Sequence, residues 1–261
     1  MKTSLFPLPN PLKITKIKKE NASTKTFILD GKLNAQPGQF VMAWLPDHED
    51  KPFSLANANP LSLTIADVGP LSHALHQLQV GDTIWVRGPL GKGYTLPTPA
   101  SGKTPHVLLI GGGYGVAPLL FLAKQALSRD YQVSMVIGAR KEADLLLVND
   151  FKTIGTSLWL TTEDGSTGIR GLVTDALPPL LAQATIRPTT VCTCGPTGML
   201  RAVAAVCATE NIPVQVSWEA HMRCGIGLCG SCEVGEGWLT CLDGPVFPFD
   251  PVMVSPHTVL T

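Results

Sequence analysis

Four of the seven cysteines fall in one short stretch near the end of the chain: Cys224, Cys229, Cys232 and Cys241. Their spacing reads C-x4-C-x2-C, with the fourth cysteine after eight intervening residues. Thiolates are soft ligands, and this spacing is that of plant-type [2Fe–2S] ligation. Gly225, Gly227 and Gly230 let the backbone curl tightly between the ligands. That curl brings amide N–H groups near the sulfurs, where they stabilise the negative charge added on reduction. The rival is a structural zinc site, but zinc motifs pair two short knuckles, and here the last ligand stands alone. Cys192 and Cys207 lie outside the array and read as small buried residues. No cysteine occurs before residue 192, and the total is odd. The pattern is a metal or cluster site in a reducing, cytoplasmic compartment, not a secreted disulfide framework.

A second chemistry is phosphate binding. Gly111-Gly112-Gly113-Tyr114-Gly115-Val116-Ala117-Pro118 follows an apolar run and opens a helical one. Small residues let a backbone approach a pyrophosphate, and a helix N-terminus supplies N–H groups and positive dipole. The turn is not G-x-G-x-x-G, and alone it could merely pack. Three further segments sit just past apolar runs: Gly138-Ala139-Arg140, Thr162-Glu163-Asp164-Gly165 and Cys194-Gly195-Pro196. Four such loops along one sheet edge describe a dinucleotide crevice. Earlier in the chain, Lys51-Pro52-Phe53-Ser54 sets a cation and a hydroxyl around an aromatic ring. That suits a phosphate and a flavin ring, although the segment by itself is equally an ordinary extended one. Gly69-Pro70-Leu71-Ser72 opens a helical stretch and is a second phosphate cradle. His73 and His76 read as polar-face residues of that short helix.

Positioning these groups requires two kinds of element. Up to about residue 98, short runs at 13–18, 24–29, 39–45, 61–66 and 82–87 are separated by Gly, Pro, Asn and Asp. They predict an antiparallel barrel interrupted by a helix over 71–78. Residues 96–105, LPTPASGKTP, read as a linker. Beyond it, apolar runs at 106–110, 131–137, 157–162, 190–193 and 213–218 alternate with helical stretches such as 116–127. That alternation predicts a parallel sheet with crossovers. The tail from Glu219 shows no helical period and reads as loop.

Composition agrees. The 261 residues predict about two domains. Hydrophobic residues make up 44% and charged residues 15%, which excludes disorder. Twenty basic residues balance twenty acidic ones, so nothing points to nucleic acid or anionic membrane. No run is apolar and long enough for a membrane helix or a signal peptide.

The order KPFS, GPLGKGY, GGGYGVAPL, IGAR, TTEDGSTGIRGLVTD, CTCGPTGML, MRCGIGLCGSC and CLDGPVF resembles the ferredoxin–NADP reductase superfamily. More narrowly, it resembles the iron–sulfur electron-transfer subunits of class 1B dihydroorotate dehydrogenase. The resemblance covers nearly the whole chain. It implies an FAD-binding β-barrel at 1–98, an NAD-binding α/β domain at 99–212 and a [2Fe–2S] lobe at 213–261. FAD contacts are implied at Lys51, Pro52, Phe53, Ser54, Thr64, Ile65, Ala66, Leu71 and Ser72. Lys51 replaces the family's Arg, and Leu71 a glycine. NAD contacts are implied at Gly111, Gly112, Gly113, Gly115, Arg140, Glu163, Asp164, Cys194, Gly195 and Pro196. Cys224, Cys229, Cys232 and Cys241 match the four cluster ligands. Glu219 matches an acidic residue before the cluster loop. The implied activity relays electrons from an FMN-containing, dihydroorotate-oxidising catalytic subunit through [2Fe–2S] and FAD to NAD+. No general acid–base residue in this chain is required. The implied assembly is a cytoplasmic heterotetramer with two subunits of each kind. The architecture is also similar to flavin subunits of sulfhydrogenases and of NADH-dependent ferredoxin:NADP oxidoreductases, which serve other partners. A zinc-stabilised nucleotide-binding regulator is the non-enzymatic alternative.

Overall fold

The computed structural model describes residues 8–99, 104–184, 186–235 and 237–249. Residues 1–7 and part of the expected linker, 100–103, lie outside the described residues.

Six strands close a barrel: β1 (Asn10–Lys19), β2 (Thr24–Leu29), β3 (Phe40–Trp44), β4 (Lys51–Ala58), β5 (Leu61–Ala66) and β6 (Thr83–Leu90). Their order is β1-β2-β5-β4-β3-β6, and every neighbouring pair is antiparallel. Alternation fills the interior: Phe27, Leu29, Leu55, Leu63 and Ile84 are fully buried. Helix α1 (Pro70–Gln77) plugs one end with Leu71 and Leu75. Sequence periodicity did not isolate β4 as a strand, because its first half is only half-buried and carries little alternation.

The second unit is a seven-stranded sheet with helices on both faces. It contains β7 (His106–Gly112), α2 (Val116–Leu127), β8 (Gln132–Ala139), α3 (Val148–Thr153), β9 (Ser157–Thr162), β10 (Ile169–Arg170), α4 (Leu177–Gln183), β11 (Thr190–Cys194), α5 (Thr197–Thr209) and β12 (Val214–Ser217). The cluster segment follows, with a hairpin of β13 (Glu233–Val234) and β14 (Trp238–Leu239), then β15 (Val246–Pro248). The sheet order is β10-β9-β8-β7-β11-β12-β15. β7 is buried along its whole length, as the central strand of a two-faced sheet must be. Its alternate residues feed two cores. Val107 and Leu109 pack with α2 and α3, while Leu108 and Ile110 pack with α4 and α5. Leu119 and Leu122 of α2 are fully buried; each such side chain contributes about 1.5–3 kcal/mol.

The tail is not all loop. β15 pairs antiparallel with β12 and completes the sheet edge. The cysteine-bearing stretch is therefore a connection held at both ends by one sheet. Barrel and sheet also share packing, since Phe121 of α2 reaches the barrel core and Ala56 of β4 lies in the α2 core. Tyr94, just after the barrel, donates its buried hydroxyl to the Thr193 carbonyl on β11 at 3.0 Å.

Candidate functional site

A cleft of about 270 Å³ runs along the seam between barrel and sheet. Its barrel wall is Phe40, Pro52, Phe53, Ser54, Thr64, Ile65, Ala66 and Val68; its other wall includes Tyr114, Gly115, Cys194, Glu219 and Met222. An apolar slot bearing a few hydroxyls suits a flat aromatic ring system. Six of the nine residues expected to meet FAD line it. Lys51 does not; it starts β4 and pairs with Glu49 at 2.8 Å. Leu71 does not either, because it is 3% exposed in the barrel core. Ser72 uses its hydroxyl within its own turn, accepting N–H bonds from Val68 at 2.9 Å and Gly69 at 2.8 Å. In these last two the side chains serve local packing and capping.

A second cavity, about 570 Å³, opens at the C-terminal edge of the parallel strands. Gly112, Gly113, Arg140, Glu163 and Pro196 line it, as expected of a dinucleotide crevice. Thr161 lines it too, and its hydroxyl is buried without a hydrogen-bond partner. An orphaned hydroxyl in a crevice fits a bound polar ligand. The glycines divide by task. A Cβ on Gly115 would lie 2.5 Å from the Cys194 carbonyl oxygen, so this glycine serves the contact of two loops. A Cβ on Gly111 or Gly112 would meet Val116 or Met199, whereas Gly113 faces open space. Gly111 and Gly195 do not line the crevice, and Gly115 and Cys194 line the barrel-side cleft instead. Asp164 accepts the Ser166 N–H at 2.9 Å and hydroxyl at 2.7 Å, which shapes its own loop and holds its carboxyl low.

Tyr114 borders both cavities. Its hydroxyl donates to Glu219 at 3.3 Å, and burial followed by the Glu219 charge pushes its pKa up to about 12. Glu219 is exposed as a whole, yet crowding by the cleft wall raises its carboxyl above the usual range. Burial lifts the Cys194 thiol to about 12, so it stays neutral.

The four array cysteines converge on the barrel rim. Cys224 Sγ accepts N–H bonds from Ile226 at 3.5 Å and Leu228 at 3.4 Å. Cys241 Sγ accepts one from Gly227 at 3.1 Å, and Cys232 Sγ one from Cys241 at 3.4 Å. Gly225, Gly227 and Gly230 all have positive φ, the conformation these close N–H···S contacts need. Cys229 lies near Cys224, and Cys241 near both Cys232 and Cys224. Among the described residues no three ligating side chains surround a single-ion position. Amide donors at the sulfurs of Cys224, Cys232 and Cys241 fit the [2Fe–2S] site that the spacing implies. Hydrogen bonds with Ser231 lead the causes that bring Cys229 down to about 6, and burial pushes Cys241 up to about 12. Cys229 is exposed, while Cys232 and Cys241 are buried.

The comparisons agree with this geometry. Residues 109–205 match the family described as an oxidoreductase NAD-binding domain. Residues 219–253 match the iron–sulfur cluster binding domain of dihydroorotate dehydrogenase B. A probable dihydroorotate dehydrogenase B (NAD(+)) electron transfer subunit of Methanocaldococcus jannaschii is 38% identical over 236 residues, spanning 90% of this chain and 88% of the relative. The protein of that name from Pyrococcus furiosus is 41% identical over 224 residues, covering 85% and 83%. The chain belongs to this family of electron transfer subunits. Among solved structures, an NADH-dependent reduced ferredoxin-NADP oxidoreductase superposes with a TM-score of 0.81 at 30% identity, covering 95% of this chain and 90% of that one. The ferredoxin reductase of carbazole 1,9a-dioxygenase shares the fold, with a TM-score of 0.67 at 19% identity over 80% and 68% of the two chains. In an electron transfer subunit of this family, the cavity at the strand edge is the NAD-binding domain's crevice, and the cysteine loop lies in the cluster-binding domain.

Sequence reasoning did not assign Phe40, Tyr114, Met222 or Thr161. Tyr114 was visible inside the glycine turn, and Thr161 immediately before the TED segment. Phe40 and Met222 carry no local signal, because only folding brings them to the cleft.

Proposed function

We propose that this chain takes electrons from a dihydroorotate-oxidising partner and delivers them to NAD+. The observation that carries the proposal is the position of Met222. It lines the flavin-sized cleft and also packs against Cys232 and Cys241. One apolar cluster thus joins the cysteine loop to the cleft. Bound FAD and a [2Fe–2S] cluster would supply conversion between single electrons and a hydride. Pro52, Phe53 and Ser54, with Thr64, Ile65 and Ala66, form the wall that holds the flavin. Gly112, Gly113, Arg140, Thr161, Glu163 and Pro196 hold the dinucleotide. Tyr114 separates the two and keeps its proton. Lys51 lies one residue from the cleft and is free to exchange Glu49 for a phosphate.

The catalytic partner is an FMN-containing subunit, and the assembly holds two subunits of each kind. Among the described residues no helix is long and apolar enough to cross a membrane, and we place the complex in the cytoplasm. The divisions near residues 98 and 212 separate flavin, nucleotide and cluster functions, with β12 and β15 lending the cluster segment its anchors. A sulfhydrogenase-type or ferredoxin-type partner is the lesser reading, since the relatives cited are named for dihydroorotate dehydrogenase B. The test is anaerobic co-purification with the partner, followed by an assay of dihydroorotate-dependent NAD+ reduction. Activity that needs both chains is the expected outcome. Flavin-replete, cluster-replete complex without that activity overturns the substrate assignment.

A further inference from the structure

Arg87 lies on β6 of the barrel, far from the cysteine loop in sequence. Its guanidinium donates to the Cys224 carbonyl oxygen at 2.9 Å and to Asp50 at 3.1 Å. The side chain is only 13% exposed. A largely buried charge of this kind is costly to place and interacts strongly with what it touches. It grips the backbone of the first array cysteine, at the point where the loop meets the barrel. The neighbouring Gly225 is seated on Met42 and Leu90 of the same barrel wall. Leu90 and Met42 in turn pack in the cluster that holds Cys232 and Cys241.

From this contact we infer that Arg87 is a positioning and potential-setting residue for the cysteine-bound group, with Asp50 as its counterweight. Two effects follow. The Nη2 donor, shared between Asp50 and the Cys224 carbonyl, anchors the loop against the flavin-binding barrel and so sets the separation between the two redox sites. The positive charge beside Cys224 favours the more negatively charged, reduced state of whatever the four thiolates hold, which raises its potential. Asp50 offsets part of that charge. The inference rests on the cluster reading of the cysteine loop.

The test uses the full-length chain, reconstituted anaerobically with FAD, iron and sulfide. The cluster potential is read by EPR-monitored redox titration, and iron and flavin contents are measured beside it. Removing the charge in Arg87→Met is expected to lower the reduction equilibrium constant about tenfold, equivalent to 59 mV for one electron. Asp50→Asn removes the counterweight and shifts the potential the opposite way. Arg87→Lys keeps the charge as an ammonium on a more flexible stem; its potential stays near that of the wild type. A purely mechanical clamp lowers cluster content in both arginine variants and leaves the potential of the loaded fraction and of Asp50→Asn unchanged; that result overturns the inference. If Arg87→Met cannot retain a cluster, the opposite shift in Asp50→Asn supports the inference, and no shift overturns it. Failure of the wild-type chain to form any EPR-active cluster overturns instead the cluster reading itself.

Discussion

At the residue scale, the seven cysteines separate by environment. Cys192 and Cys207 are buried, and burial drives both thiols upward, Cys207 to about 11. Each packs in a core of the sheet domain, whereas Cys232 and Cys241 pack against the barrel. Individual Cys→Ser changes at 224, 229, 232 or 241 are expected to abolish the bound cluster, while C192S and C207S leave iron content and the EPR signal intact. His106 is a different kind of buried group. Its ring meets the Ser134 hydroxyl at 2.9 Å and the Ile186 carbonyl at 2.7 Å, and burial lowers its pKa from 6.5. The folded protein therefore favours neutral His106, and the unfolded chain takes up the proton first on acidification. Stability from this group is complete above about pH 6.5 and is lost as pH falls through the lowered folded value. The thermal midpoint should drop over that range in the wild type and drop less in H106Q.

At the element scale, the two loops at the ends of β7 and β11 are built to touch. Gly115 has no room for a methyl group because the Cys194 carbonyl and the Gly195 backbone occupy it. G115A is expected to lower stability by about 1–3 kcal/mol through overpacking. G198A, where nothing lies within 4 Å and the residue is inside α5, should be neutral or stabilising. Thermal melts of the two variants decide it. The same elements show where sequence reading succeeded and where it stopped. The span of α2 and the buried strand β7 were legible because apolar periodicity and length are local. β15 was not, since a strand at a sheet edge owes its pairing to a distant neighbour. Nor could sequence context reveal that the Ser72 hydroxyl caps its own turn.

At the scale of the whole molecule, function depends on the barrel, sheet and cysteine loop staying in fixed relation. Tyr94 is one pin between them. Y94F leaves the Thr193 carbonyl without its buried donor, a loss of about 1–3 kcal/mol. The expected result is a lower thermal midpoint with cluster content unchanged; an unaltered midpoint rejects the pin.

The cysteine array and the cluster chemistry it suggests were legible in the sequence alone. The spacing is a property of one continuous segment, and four thiolates on a glycine-rich loop have few other uses. The dinucleotide crevice was nearly as legible, because each parallel strand delivers its following loop to the same edge. Only the tertiary structure decided how the sites face one another. Tyr114 meets Glu219 across 105 residues of chain, and Arg87 meets Cys224 across 137. Those contacts form where separate segments fold back together, and no local pattern of side chains encodes them.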